Sequence, residues 1–139
     1  AARLKYEKAA KLWPESRYPA EMIDKIDIRM AEQYKNLEAN YHMALKQADS
    51  LFYKQEMDNA RAQYQMALNL KNNEIYPRQQ IIKIDKIKRA ELKKLQAGYA
   101  RLIRYADSLL RSREYLAARD VFEQAIDIKP NDIYPQKQL

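Results

Sequence analysis

The dipeptide Tyr-Pro occurs at Tyr18-Pro19, Tyr76-Pro77 and Tyr134-Pro135, each 58 residues after the last. The flanks keep the same register. Ala48-Asp49-Ser50-Leu51 returns as Ala106-Asp107-Ser108-Leu109. Tyr6, Tyr64 and Phe122 correspond, as do Ala9, Ala67 and Ala125, and Leu12, Leu70 and Ile128. A period of this size is the signature of a tandem array, in which stacked copies of one supersecondary unit bury a continuous core. The expected division is a partial repeat over 1–17, full repeats over 18–75 and 76–133, and the start of another at 134–139. With no initiator Met and no polar capping segment, the expectation is a segment of a longer protein. Arrays present surface, so binding or spacing is expected before chemistry.

The period is helical. From Pro77 the apolar residues run Ile81, Ile84, Leu92, Leu95, Tyr99, Leu102, Ala106 and Leu109. Steps of three and four dominate, the stripe of an amphipathic helix. The preceding stripe, Ile23, Ile26, Tyr34, Leu37, Tyr41, Ala44, Ala48 and Leu51, lies 58 residues earlier. The later stripe keeps its phase across Gly98, and the earlier one across its counterpart Asn40; a lone Gly costs roughly 1 kcal/mol against Ala, too little to break a packed helix. The pattern predicts one helix over 77–111, about 35 residues and roughly 52 Å long, with a twin over 19–53. Shorter helices are expected at 57–70 and 115–128, with inner faces of Ala60, Tyr64, Ala67 and Leu68, then Ala118, Phe122, Ala125 and Ile126. They stop near Asn72 and Pro130, both helix-ending residues. Tyr34, Tyr41, Tyr99, Tyr6 and Tyr64 are expected in the packing, and Tyr18, Tyr76 and Tyr134 as wedges at the helix junctions.

Tyr115, Ala118, Phe122, Ala125, Ile126 and Pro130, with Ala106 and Leu109 before them, resemble a tetratricopeptide repeat over 102–132. A weaker match covers 44–74, where Met57 and Asn72 replace the aromatic and the proline. The family's repeat has 34 residues against 58 here, and the surplus lies mainly in the N-terminal half of the long helix. The long unit, with its Ala-Asp-Ser-Leu, Tyr-Pro and Ile-rich helix start, is also similar to tandem repeats in cell-envelope proteins of Bacteroidetes-type bacteria. These resemblances imply an all-α chain of alternating long and short helices, tetratricopeptide-like hairpins in a staggered rod or solenoid. They imply protein partners and a periplasmic or envelope location, with a cytoplasmic one left open.

Charge is uneven. Eleven Lys or Arg lie between Arg78 and Arg113 against Asp85, Glu91 and Asp107, whereas residues 1–77 carry twelve basic and eleven acidic side chains. Lys83, Lys86, Arg89, Lys93, Lys94, Arg101 and Arg104 are therefore the candidate contacts for a polyanion or an acidic partner. The competing reading is a solvated face on a long helix. A nucleic-acid partner is disfavoured, because no base-reading module or aromatic-interleaved basic loop accompanies the charge.

Catalytic constellations are missing. With no cysteine, thiolate chemistry, disulfides and Cys-ligated zinc are excluded. His42 is the only histidine, without a paired nucleophile or a second metal ligand. Asp24 and Asp27 read as surface carboxylates paired with basic neighbours such as Lys25 and Arg29, and Asp49 and Asp107 as structural groups that follow the period. A single Gly cannot form a phosphate-binding loop. No stretch approaches the 18 or so consecutive apolar residues of a membrane span. The expectation is a non-catalytic protein-interaction scaffold or spacer with no metal or cofactor, the alternative being a polyanion-binding module on the 78–113 helix.

Overall fold

The computed structural model describes residues 1–139. The chain is all-α, with six helices: α1 (Ala2–Leu12), α2 (Tyr18–Tyr53), α3 (Met57–Leu70), α4 (Ile75–Arg111), α5 (Tyr115–Ile128) and α6 (Ile133–Gln138). The two short central helices have the bounds expected of them. The long ones begin slightly earlier, so that Pro19 and Pro77 fall inside the first turn, where a missing N–H breaks no intrahelical bond.

Two compact units result, Ala1–Ile82 and Lys83–Leu139. In the first, Tyr41 and Ala44 of α2 pack on Ala67 of α3, flanked by Leu45 and Leu70. In the second, Ala106 and Leu109 of α4 pack on Ala118, Val121 and Phe122 of α5. The small residues let the helix axes approach while one ring fills each interface. Ala48, Ala60, Ala67, Ala106 and Ala125 are wholly buried, and Tyr64 and Phe122 are the largest fully buried side chains.

The turns that reverse the chain are built alike. After α2, Gln55 has φ 62° and after α4, Arg113 has φ 64°. The Glu56 N–H donates to the Leu51 carbonyl and the Glu114 N–H to the Leu109 carbonyl, both at 2.9 Å. With the Gln55 to Phe52 and Arg113 to Leu110 bonds at 3.0 Å, each turn is a Schellman cap, which satisfies the last carbonyls of a helix. Neither left-handed position holds glycine, so each carries about 1 kcal/mol of steric penalty.

The helix across Gly98 is continuous. A Cβ built on Gly98 meets no atom within 4 Å, so Gly98→Ala removes only the backbone entropy of a helical glycine. The variant is expected to gain about 0.5–1 kcal/mol, read as a raised urea midpoint with an unchanged slope.

Burial does not follow the apolar phase along the whole of either long helix. Tyr34, expected in the packing, is 64% exposed, and Leu92 and Leu95 are 54% and 49% exposed. The cause is length. A helix of fourteen residues is roughly 21 Å long and covers only part of a long partner. On α2 the buried side chains beyond Pro19 are confined to Tyr41, Ala44 and Ala48, the stretch that faces α3.

Candidate functional site

Two features stand out, a recurring aromatic–carboxylate junction and a basic helix face. At the first junction the Tyr64 hydroxyl donates to Asp49 Oδ1 at 2.5 Å and the Tyr76 hydroxyl donates to the same oxygen at 2.8 Å. Fifty-eight residues on, the Tyr134 hydroxyl donates to Asp107 Oδ1 at 2.8 Å. The rings meet edge to face in both: Tyr64 and Tyr76 at 6.2 Å and 78°, Phe122 and Tyr134 at 6.3 Å and 72°. The prolines, rather than the tyrosines before them, are the buried members of the Tyr-Pro steps. Burial, reinforced by the bond to Asp49, drives the Tyr64 phenol well above the usual tyrosine range.

A second contact set also recurs. Lys71 Nζ lies 4.9 Å from the centroid of the Tyr41 ring, and Lys129 Nζ lies 4.3 Å from that of Tyr99, cation–π geometry in both cases. The Tyr99 hydroxyl donates to Asp132 Oδ2 at 2.6 Å. Burial first, and then this bond, pushes the Tyr99 phenol up to about 12. Arg78 donates to the Asn72 carbonyl at 2.8 Å and Gln136 to the Pro130 carbonyl at 2.6 Å, again at positions 58 apart. Sequence reading passed over Lys71 and Lys129, although both stand on the period with the tyrosines they cover.

Lys71 in addition pairs with Glu38, and its ammonium holds the Glu38 carboxyl below the usual range. Asp27 bonds Arg3 of α1 at 2.8 Å rather than the basic neighbours on its own helix. His42 is exposed, 3.7 Å from Glu38, and meets Tyr41 edge to face at 5.5 Å.

All seven basic candidates are exposed. At about 100° per residue, Lys83, Lys86, Arg89, Lys93, Lys94, Arg101 and Arg104 share an arc of roughly 140° along about 32 Å of α4. Ile84, Tyr99, Ala106 and Leu109, all buried, lie on the opposite side. Asp85 and Glu91 point outside the basic arc by the same geometry, and Asp107 at its edge is engaged by Tyr134. The corresponding positions of α2 hold Lys25, Ile28, Ala31, Lys35, Asn36, Met43 and Lys46, so the face belongs to α4 alone.

The depression between α2 and α3, lined by Met43, Lys46, Gln47, Ser50, Leu51 and Gln63, holds one titratable group. No group of three or more His, Cys, Asp or Glu side chains could hold a metal ion, and no helix is long and apolar enough to cross a membrane. No protein family, curated protein or solved structure matches the chain.

Proposed function

We propose that the chain is a tandem array of one 58-residue helical unit, an extended relative of the tetratricopeptide hairpin, acting as a non-catalytic protein-interaction scaffold or spacer. One observation carries the array: the same contacts recur at positions 58 apart, from the hydroxyl–Asp49 and hydroxyl–Asp107 junctions to Lys71 and Lys129 over the Tyr41 and Tyr99 rings. Binding is supported by apolar side chains left open at mid-helix. Ile28, Met30 and Tyr34 on α2, and Leu92 and Leu95 on α4, are between 49% and 64% exposed. Contacts of that kind draw on apolar burial and survive added salt.

The basic face favours a second reading, a polyanion-binding module. A row of exposed cations along one helix face attracts a linear polyanion without reading its sequence, and such binding weakens steeply with salt as counterions are released. Titration against heparin, duplex DNA and an acidic protein at two salt concentrations separates the readings. For the scaffold, none of the three probes binds tightly at either salt concentration. Tight, salt-sensitive binding that disappears when Lys86, Arg89 and Lys93 are reversed to Glu, but not when Lys5, Lys8 and Lys11 are, would replace the scaffold by the polyanion module.

A further inference from the structure

The face of α1 that corresponds to the buried faces of α3 and α5 is open. Tyr64 and Phe122 are 1% and 0% exposed, and Ala67 and Ala125 are wholly buried. Their counterparts Tyr6 and Ala9 are only half-buried, and α1 has no buried residue at all. Leu12 is 82% exposed where Leu70 and Ile128 are half-buried. The Tyr6 and Tyr18 rings nevertheless meet edge to face at 6.2 Å and 71°, the arrangement of the other two pairs. The proximity of Tyr18 raises the Tyr6 phenol. No carboxylate joins them.

What covers this face elsewhere is explicit. Over α3 it is the turn-end of α2, where Tyr41 and Ala44 pack and Asp49 takes the hydroxyls. Over α5 it is the end of α4, where Leu102, Ala106 and Leu109 pack and Asp107 takes the hydroxyl. Both covering segments read Tyr-x2-Ala/Leu-x3-Ala-Asp-Ser-Leu. We propose that the α1 face, with the start of α2, is a docking site for a helix of this pattern. The occupant's Ala-Asp step lies over Ala9 and Tyr6, and its aspartate accepts from Tyr6 and Tyr18. Its tyrosine meets Trp13, which stands where Lys71 and Lys129 cover Tyr41 and Tyr99. Trp13 is 74% exposed, and the docked helix supplies its apolar cover. The inference rests on the 58-residue equivalence proposed above.

Trp13 is the only tryptophan and reports on the site directly. The full chain is titrated with a peptide of residues 97–111, held helical by a lactam between positions 100 and 104, while Trp13 emission is followed. A saturable blue shift is expected. Asp107→Ala in the peptide, or Tyr6→Phe with Tyr18→Phe in the chain, should each weaken binding about tenfold or more, the loss of hydrogen bonds to a charged acceptor. Three results overturn the proposal: no saturable shift, equal binding of a scrambled amphipathic helix, or a blue shift on concentrating the chain alone, which makes a second copy the occupant. If the peptide fails while Ala67→Glu and Ala125→Glu damage their units alike, the docking site falls and the equivalence stands.

Discussion

Ala125→Glu is expected to unfold the Lys83–Leu139 unit, and Ala67→Glu the Ala1–Ile82 unit. Both alanines are wholly buried on the inner faces of α5 and α3. A glutamate there has no room, and the cations four residues on, Lys71 and Lys129, are already held over the Tyr41 and Tyr99 rings. Either the carboxylate is buried charged at a cost of several kcal/mol, or it takes a proton and still overpacks the contact by about 1–3 kcal/mol. At 0.05–0.15 kcal/mol per residue, a unit the size of Lys83–Leu139 holds roughly 3–9 kcal/mol, so the substitution removes most or all of it. Lys93→Glu, on an exposed position of α4, should stay within about 0.5 kcal/mol of the parent. Urea unfolding followed by circular dichroism gives the magnitudes, and hydrogen exchange locates the lost protection within the substituted unit. Parent-like melting of either alanine variant would mean that these helix faces are not the packed ones.

The helices were legible because their signals are local. Apolar steps of three and four across Gly98 outweigh one glycine, and the Met57 and Tyr115 starts follow from where the short periodic runs begin. Burial was less legible. Tyr34, Leu92 and Leu95 keep the stripe's phase yet stay open, because phase says which side of a helix is apolar and not whether a neighbour reaches that far along it. Charged partners were half legible. The period singled out Asp49 and Asp107 as structural, but their acceptor role depends on tyrosines 15 and 27 residues away in the chain, which only the fold brings together. Asp27 shows the opposite limit: neighbours in sequence suggested its partner, and the helix packing gave it Arg3 instead. The basic face was visible as an excess of charge. Its alignment along one side of α4 follows once the helix is known to be unbroken.

Phe122→Ala is expected to cost about 3–5 kcal/mol, the usual price of deleting a fully buried aromatic ring, whereas Phe122→Tyr should leave stability unchanged or raise it by about 1 kcal/mol. A hydroxyl added to a ring with no exposed surface normally strands an unpaired donor. Here the equivalent ring already shows where it goes. Tyr64 is 1% exposed, and its hydroxyl reaches Asp49 Oδ1 while Tyr76 holds the same oxygen. Phe122 meets Tyr134 within 0.1 Å of the Tyr64–Tyr76 centroid separation, and Asp107 so far accepts only the Tyr134 hydroxyl. The new hydroxyl should therefore find Asp107 ready as its acceptor. The control is the same pair of changes with Asp107→Ala, where Phe122→Tyr should turn destabilising by about 1–3 kcal/mol, a coupling that a double-mutant cycle isolates. If Phe122→Tyr costs more than about 1 kcal/mol with Asp107 intact, the two junctions are not equivalent. The 58-residue array would then lose its strongest structural support.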